Sequence, residues 1–86
     1  MKEIKWYEID ENTKPSYETD VAKWYLLQKG EHYAVWRWDS KKDELNKRFL
    51  LTNIHTSSVV FEDFTIEGIF IKFEACERTY DGEKSA

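Results

Sequence analysis

The feature that most constrains this chain is its density of aromatic residues, which stand in short alternating runs. The 86-residue sequence contains four Trp, five Tyr and five Phe, and its clearest run is Tyr33-Ala34-Val35-Trp36-Arg37-Trp38. Side chains alternate between the two faces of an extended chain, so Trp36 and Trp38 share one face and Arg37 lies on the other. The run therefore predicts a strand whose two indoles belong either to a core or to a docking surface.

The chain length predicts one small domain. A domain of this size buries only about 60–65% of the surface that its unfolded chain exposes, so its stability depends on a few large side chains. Hydrophobic residues make up 41% and charged residues 35% of the chain, which indicates a packed soluble protein rather than a disordered one. We predict a single β-rich domain over residues 1–76 and a polar C-terminal tail over residues 77–86.

Turn signals divide the chain into five to six candidate strands at short spacing. The predicted fold is mainly β, a small curved antiparallel sheet or open barrel. Residues 20–29 also carry a helix signature, but two apolar runs around Lys29-Gly30-Glu31 favour a hairpin. Residues 40–46 form either one helical turn or a hairpin tip, and we favour the tip.

Two further segments are predicted to be strands, one near each end of the chain. The run Ile4-Lys5-Trp6-Tyr7-Glu8-Ile9 is rich in strand-forming residues, and we expect Ile4 and Trp6 to be buried. Residues 64–76 form the longest candidate strand, with Ile69, Ile71 and Phe73 on its inner face. Gly68, in the middle of this segment, predicts a bulge.

The apolar runs bear on the cellular location. The longest of them, such as Trp24-Tyr25-Leu26-Leu27, is far too short to span a bilayer, so we predict no membrane contact. The charged start Met1-Lys2-Glu3 lacks the apolar stretch of a signal peptide, and a small secreted domain usually carries several paired cysteines rather than the lone Cys76. We therefore expect a cytoplasmic protein.

No catalytic or metal-binding signature stands in the sequence. Its three glycines are too far apart for a phosphate-binding loop. His32 and His55 have no closely spaced carboxylate or thiol partner, which makes a weak zinc site. Cys76 is most simply a small buried hydrophobic residue. We predict no enzymatic activity, no cofactor and no metal ion.

Charge supplies the first candidate partner-binding surface. The net charge is −4, with an excess of bases over residues 21–54 and an excess of acids toward both ends. Acids on a sheet surface usually serve solubility, but they also present carboxylates to a basic groove of another protein. The candidate acidic surface consists of Glu62, Asp63, Glu67, Glu74 and Glu77, and the edges of the sheet offer a second route to a partner.

The aromatic run supplies the alternative surface, a single-stranded nucleic-acid site. Bases stack on indoles while Lys and Arg contact phosphates, whereas a Trp pair on one strand of a small domain is more commonly core. The candidate residues are Trp36, Arg37, Trp38, Lys41, Lys42 and Arg48. Because the chain is acidic overall, direct nucleic-acid binding is the less favoured alternative.

The first half of the chain carries a resemblance. Trp6, Pro15, a strand, Gly30 at a turn and a strand ending in Trp38-Asp39 follow an order that resembles the layout of small phage-encoded domains of unknown function. Such proteins are similar in kind to anti-CRISPR and other host-defence inhibitors. The resemblance implies a non-enzymatic inhibitor from a phage or mobile element that binds a host or phage protein, including one that processes nucleic acid. The oligomeric state is left open.

Overall fold

The computed structural model describes residues 2–80, which form five strands and one helix. In chain order these are β1 (Tyr17–Glu18), β2 (Ala22–Lys29), β3 (Tyr33–Ser40), β4 (Lys47–Asn53), β5 (Ser58–Asp63) and α1 (Ile66–Thr79). The strands lie side by side in that same order and every neighbouring pair is antiparallel. The prediction of a mainly β fold with an antiparallel sheet of five to six strands is confirmed: the described sheet has five strands and is not closed.

The hairpin of β2 and β3 forms the centre of this sheet. Trp24 lies opposite Trp38 and Leu26 opposite Trp36, which confirms the hairpin over the helix at residues 20–29. The register shifts between Leu26 and Gln28, where one extra residue forms a bulge. Ser40 ends β3, and residues 41–46 form bends and a turn at the tip of the next hairpin, as the favoured interpretation predicted.

Helix α1 packs on one face of the sheet and encloses the core. Two helical residues one turn apart, Ile69 and Phe73, are 0% and 6% exposed, because positions i and i+4 lie on the same helix face. They pack against three strand residues, Leu27, Val35 and Leu51. We call this face of the sheet the helix face and the opposite one the open face.

The predicted strand over residues 64–76 is wrong, because these residues form α1. The side-chain oxygen of Thr65 accepts a hydrogen bond from the backbone N–H of Gly68 and caps the helix start. Ile71, predicted to face inward, is 68% exposed. The β-branched and aromatic composition favoured a strand, but the 3.6-residue period lets the helix bury one apolar stripe on the sheet.

The predicted strand over residues 4–9 is also wrong. The backbone N–H of Ile4 donates to the carbonyl of Leu26 at 2.8 Å, beside the edge of β2, and Trp6–Glu8 form a turn of 3-10 helix. Ile4 is half-buried, whereas Trp6 is 46% exposed rather than buried. This segment covers part of the β2 edge that the two-residue strand β1 leaves open.

The helix continues past Cys76 and is tied to the sheet at its end. The Glu77 carboxylate accepts hydrogen bonds from the backbone N–H groups of His32 and Tyr33, each at a shortest distance of 3.0 Å. Gly30 permits this approach, because a Cβ atom there would overlap the Glu77 carboxylate. Residues 77–80 of the predicted tail thus pack on the domain, and residues 81–86 lie outside the described residues.

Candidate functional site

The open face of the sheet carries a row of aromatic side chains across β1, β2 and β3. The rings of Trp24 and Trp36 meet edge to face with centroids 5.8 Å apart, and Tyr17 meets Trp24 at 6.3 Å. The indole Nε1–H of Trp36 donates to the Thr52 hydroxyl at 2.9 Å. This bond fixes the Trp36 ring and occupies its polar group, so the row presents mainly carbon to a partner.

A groove of about 550 Å³ follows this row. Among the described residues that line it, Lys29 is the one with a charged side chain. The lining comprises Tyr17, Trp24, Leu26, Lys29, Ala34, Trp36, Thr52, Asn53, Ile54, Ser57 and Val59. Such a surface suits apolar contacts and offers few cations to a phosphate backbone.

Trp38 lies on the open face but is covered by a cation from β4. The Arg48 guanidinium carbon stands 5.3 Å from the Trp38 ring centroid and 5.2 Å from that of Phe64. One terminal nitrogen of Arg48 also lies 3.4 Å from the Glu62 carboxylate. Arg48 therefore holds Trp38, Phe64 and Glu62 together, and its charge is already balanced.

The other members of the aromatic and basic set are dispersed. Arg37 points to the helix face, as the alternation predicted, and its guanidinium binds Asp39 through two hydrogen bonds of 2.9 and 3.2 Å. Lys41 forms an ion pair with Glu18, which lowers the pKa of that carboxyl. Lys42 is exposed in the β3–β4 turn. The set does not form one basic track beside the indoles.

The acidic set is divided between two elements. Glu62 and Asp63 end β5 on opposite faces: Glu62 meets Arg48, and the Asp63 carboxylate lies 3.5 Å from the Lys72 ammonium. The backbone N–H and hydroxyl of Thr65 donate to Asp63 and lower the pKa of its carboxyl. Glu67 and Glu74 are exposed on α1, whereas Glu77 binds the β2–β3 turn.

Strand β5 presents the most accessible apolar surface of the sheet. Val59, Val60 and Phe61 are 49%, 39% and 43% exposed, and Phe64, which follows the strand, is 69% exposed. One edge of β5 pairs with β4, and within residues 2–80 no strand pairs with its other edge. A row of backbone N–H and C=O groups beside exposed apolar side chains is the usual template for adding a strand.

The structure brings together two histidines that the sequence separates by 23 positions. His32 Nδ1 and His55 Nε2 are 3.0 Å apart, and the Tyr80 ring stacks on His32 with a centroid distance of 3.7 Å. No motif in the sequence joins the two histidines, because they lie in different turns that only the folded sheet brings together. His32 lies in the β2–β3 turn and His55 in the β4–β5 turn. Alternate turns of an antiparallel sheet lie at the same end of it, and this was the signal that could have predicted the pair.

The remaining candidate for chemistry in the sequence, Cys76, lies beside the core. Cys76 packs against the core as a free thiol, and burial raises the pKa of that thiol. In residues 2–80 no cluster of three or more His, Cys, Asp or Glu side chains has the geometry of a metal site. Over the same residues, no helix has the length and apolar character needed to cross a membrane.

Comparisons with known proteins add no family. No protein-family model, curated protein or solved structure matches the chain significantly. We therefore infer function from the surfaces described above.

Proposed function

We propose that this chain is a non-enzymatic protein-binding module that captures an extended segment of a partner protein along β5. One observation carries the proposal: β5 exposes an apolar row and, within the described residues, an edge that no strand covers. Proteins commonly protect such edges with charges, prolines, bulges or covering segments. The described part of β5 has a bulge at Val60 and charges at its end, Glu62 and Asp63, but no segment covers its free edge, so we propose that an extended partner pairs along it. The opposite side of the sheet illustrates the contrast, since residues 3–4 cover part of the β2 edge.

The charges at the end of β5 define the partner further. The Glu62 side chain is 56% exposed even with Arg48 beside it, and it stands next to the apolar residues Val60 and Phe61. A partner segment that alternates apolar side chains with a Lys or Arg fits both features. This part of the proposal retains Glu62 of the predicted acidic set. It excludes Asp63, which binds Thr65 and Lys72, and Glu77, which binds the β2–β3 turn.

Inhibition is the activity that we propose for such a module. A small domain that occupies the strand-binding surface of a host protein blocks it without a catalytic group, which agrees with the resemblance to phage-encoded inhibitors. The proposed target is a cytoplasmic host or phage protein, including one that processes nucleic acid. The proposal needs no cofactor.

A Val60→Lys variant tests the proposed edge, because a charged side chain on an edge strand opposes strand addition. Val21→Lys is the matched control: Val21 is 50% exposed, and it precedes β2 on the other side of the sheet. Tagged proteins are incubated with nuclease-treated bacterial lysate, and captured proteins are quantified by mass spectrometry. We expect a protein that the wild type and Val21→Lys retain equally and that Val60→Lys loses at least tenfold.

The captured protein is then purified to test the binding mode. Amide hydrogen exchange in the complex should slow at residues 58–63 and not at the β1 edge. Equal capture by the wild type and Val60→Lys contradicts the proposal. So does unchanged exchange at β5 in a formed complex. Light scattering of the purified chain identifies self-pairing through the same edge, which would replace the foreign partner by a second copy.

The second candidate function is single-stranded nucleic-acid binding on the open face. The aromatic row of Tyr17, Trp24 and Trp36 favours it, but the pairing of Arg37, Lys41 and Arg48 with acids weighs against it. Anisotropy of labelled oligonucleotides at low and high salt decides between the two. Salt-dependent binding that a folded Trp24→Ala variant loses would establish this second function and remove the first.

A further inference from the structure

The two histidine-bearing turns meet at one end of the sheet and are held in place by the backbone. Ile54 N–H donates to the carbonyl of His32 at 3.0 Å, which ties the β4–β5 turn to the β2–β3 turn. On the β4–β5 side, His55 N–H donates to the Asn53 side chain at 2.8 Å. On the β2–β3 side, the Glu77 carboxylate binds the His32 backbone. The imidazoles therefore project from anchored residues rather than from loose loops.

The separation of the two imidazoles is that of two ligands on one metal ion. His32 Nδ1 and His55 Nε2 are 3.0 Å apart. Nitrogen ligands bind zinc at about 2.0–2.1 Å, so two of them at angles between square and tetrahedral stand about 2.9–3.4 Å apart. Without metal the two nitrogens share one hydrogen bond, and a bound ion would replace that proton once the rings turn so that both lone pairs point at it. Neutral imidazoles offer lone pairs that suit Zn²⁺, Ni²⁺ and Cu²⁺ rather than Mg²⁺ or Ca²⁺.

The surroundings of His32 orient its ring for such a role. The Glu31 carboxylate lies 3.8 Å from Nε2, the ring nitrogen that faces away from His55. At this distance the exposed carboxylate accepts no hydrogen bond, but its negative charge beside Nε2 favours the proton there and leaves the lone pair on Nδ1. Tyr80 stacks on the same ring with an interplanar angle of 13° and restricts its rotation.

We propose that His32 and His55 form a two-imidazole binding site for a borderline divalent transition-metal ion. In the described residues no third His, Cys, Asp or Glu completes the set, so water occupies the remaining positions of the ion. An open site of this kind binds more weakly than a closed structural zinc site. The bound ion joins the β2–β3 turn to the β4–β5 turn, immediately before β5. This inference is independent of the proposed partner.

Titration of the tag-free protein with ZnCl₂ and NiCl₂ tests the site, with MgCl₂ as the control ion. Isothermal calorimetry at about pH 7.5 should give one ion per chain, and the melting temperature should rise with Zn²⁺ because the ion binds the folded state. Lowering the pH to about 5 should weaken binding, since a protonated imidazole is not a ligand.

Three variants separate ligation from folding. His55→Ala should lower the Zn²⁺ affinity at least tenfold while circular dichroism without metal stays that of the wild type, because His55 is exposed. His55→Cys should restore Zn²⁺ binding, since a thiolate is also a zinc ligand. Glu31→Gln should keep one ion per chain at reduced affinity. Wild-type affinity in His55→Ala, no binding by the wild type, or an equal response to Mg²⁺ would each overturn the proposal.

Discussion

Among substitutions of acidic residues, we expect Glu77→Ala to lower the free energy of unfolding the most. The Glu77 carboxylate is the acceptor for two backbone N–H groups in the β2–β3 turn, those of His32 and Tyr33. All three residues are half-buried, so water replaces the lost acceptor only in part. The substitution also removes the contact that holds the end of α1 against the sheet.

The magnitude follows from those two bonds. A hydrogen bond to a charged group contributes about 1.5–3 kcal/mol, and partial exposure places both bonds toward the lower end, so we expect a loss of about 2–4 kcal/mol. Alanine is a better helix former than glutamate by a few tenths of a kcal/mol, which offsets little. In a domain of this size each kcal/mol shifts the melting temperature by about 4–8 °C, so it should fall by roughly 8–30 °C.

Thermal and urea unfolding followed by circular dichroism measure this loss. Glu74→Ala is the matched control, because Glu74 lies three residues earlier on the same helix and is exposed. We expect Glu74→Ala to unfold within about 0.5 kcal/mol of the wild type. Glu77→Gln should fall between the two, since its amide oxygen still accepts hydrogen bonds. A Glu77→Ala protein as stable as Glu74→Ala would refute the assignment of Glu77 as a structural anchor.

Three further predictions concern the core, the open face and the helix start. Ile69→Ala should lower the free energy of unfolding by about 3–4 kcal/mol in urea titrations, because Ile69 is fully buried between helix and sheet. Trp36→Phe should cost about 1–2 kcal/mol through the lost bond to Thr52, and a Thr52→Val background should abolish most of that difference. Asp63→Asn should change the pH dependence of unfolding. The lowered pKa of Asp63 stabilises the folded state above the unfolded value of about 3.9, and the stabilisation disappears as the pH falls through the folded pKa. The gap in urea midpoint between wild type and Asp63→Asn should therefore close between about pH 6 and pH 2.5.

The sequence predicted correctly those features that neighbouring residues determine. Alternation placed Arg37 opposite Trp36 and Trp38, and the Gly30 turn predicted the β2–β3 hairpin, because both are set by neighbouring residues. The prediction from local composition was wrong for residues 66–79, which form a helix. Their composition is typical of a strand. The helix is favoured because it buries Ile69 and Phe73 against the face of the sheet, a contact that exists only in the folded protein.

For the candidate sites, the sequence predicted which types of residue take part but not which residues contact one another. The sequence indicated Glu62, Asp63 and Glu77 as acids of one surface, but it gave no sign that Glu62 and Asp63 bind cations on opposite faces or that Glu77 binds the β2–β3 turn. It also separated His32 from His55. Pairings of this kind join residues that lie far apart along the chain, so no local pattern contains them.

The amino-acid sequence by itself determined an antiparallel sheet and the alternation of faces along its strands, since extended chains alternate and tight turns fix which strands pair. The tertiary structure decided which face of that sheet is covered. Helix α1 packs on the face that carries Leu27, Val35 and Leu51, which makes these residues the core and leaves Trp24 and Trp36 beside a groove. It also decided that β5 ends the sheet with an edge that no other described strand covers. Burial is shared among all packed elements, and for that reason it is a property of the assembled fold rather than of any segment.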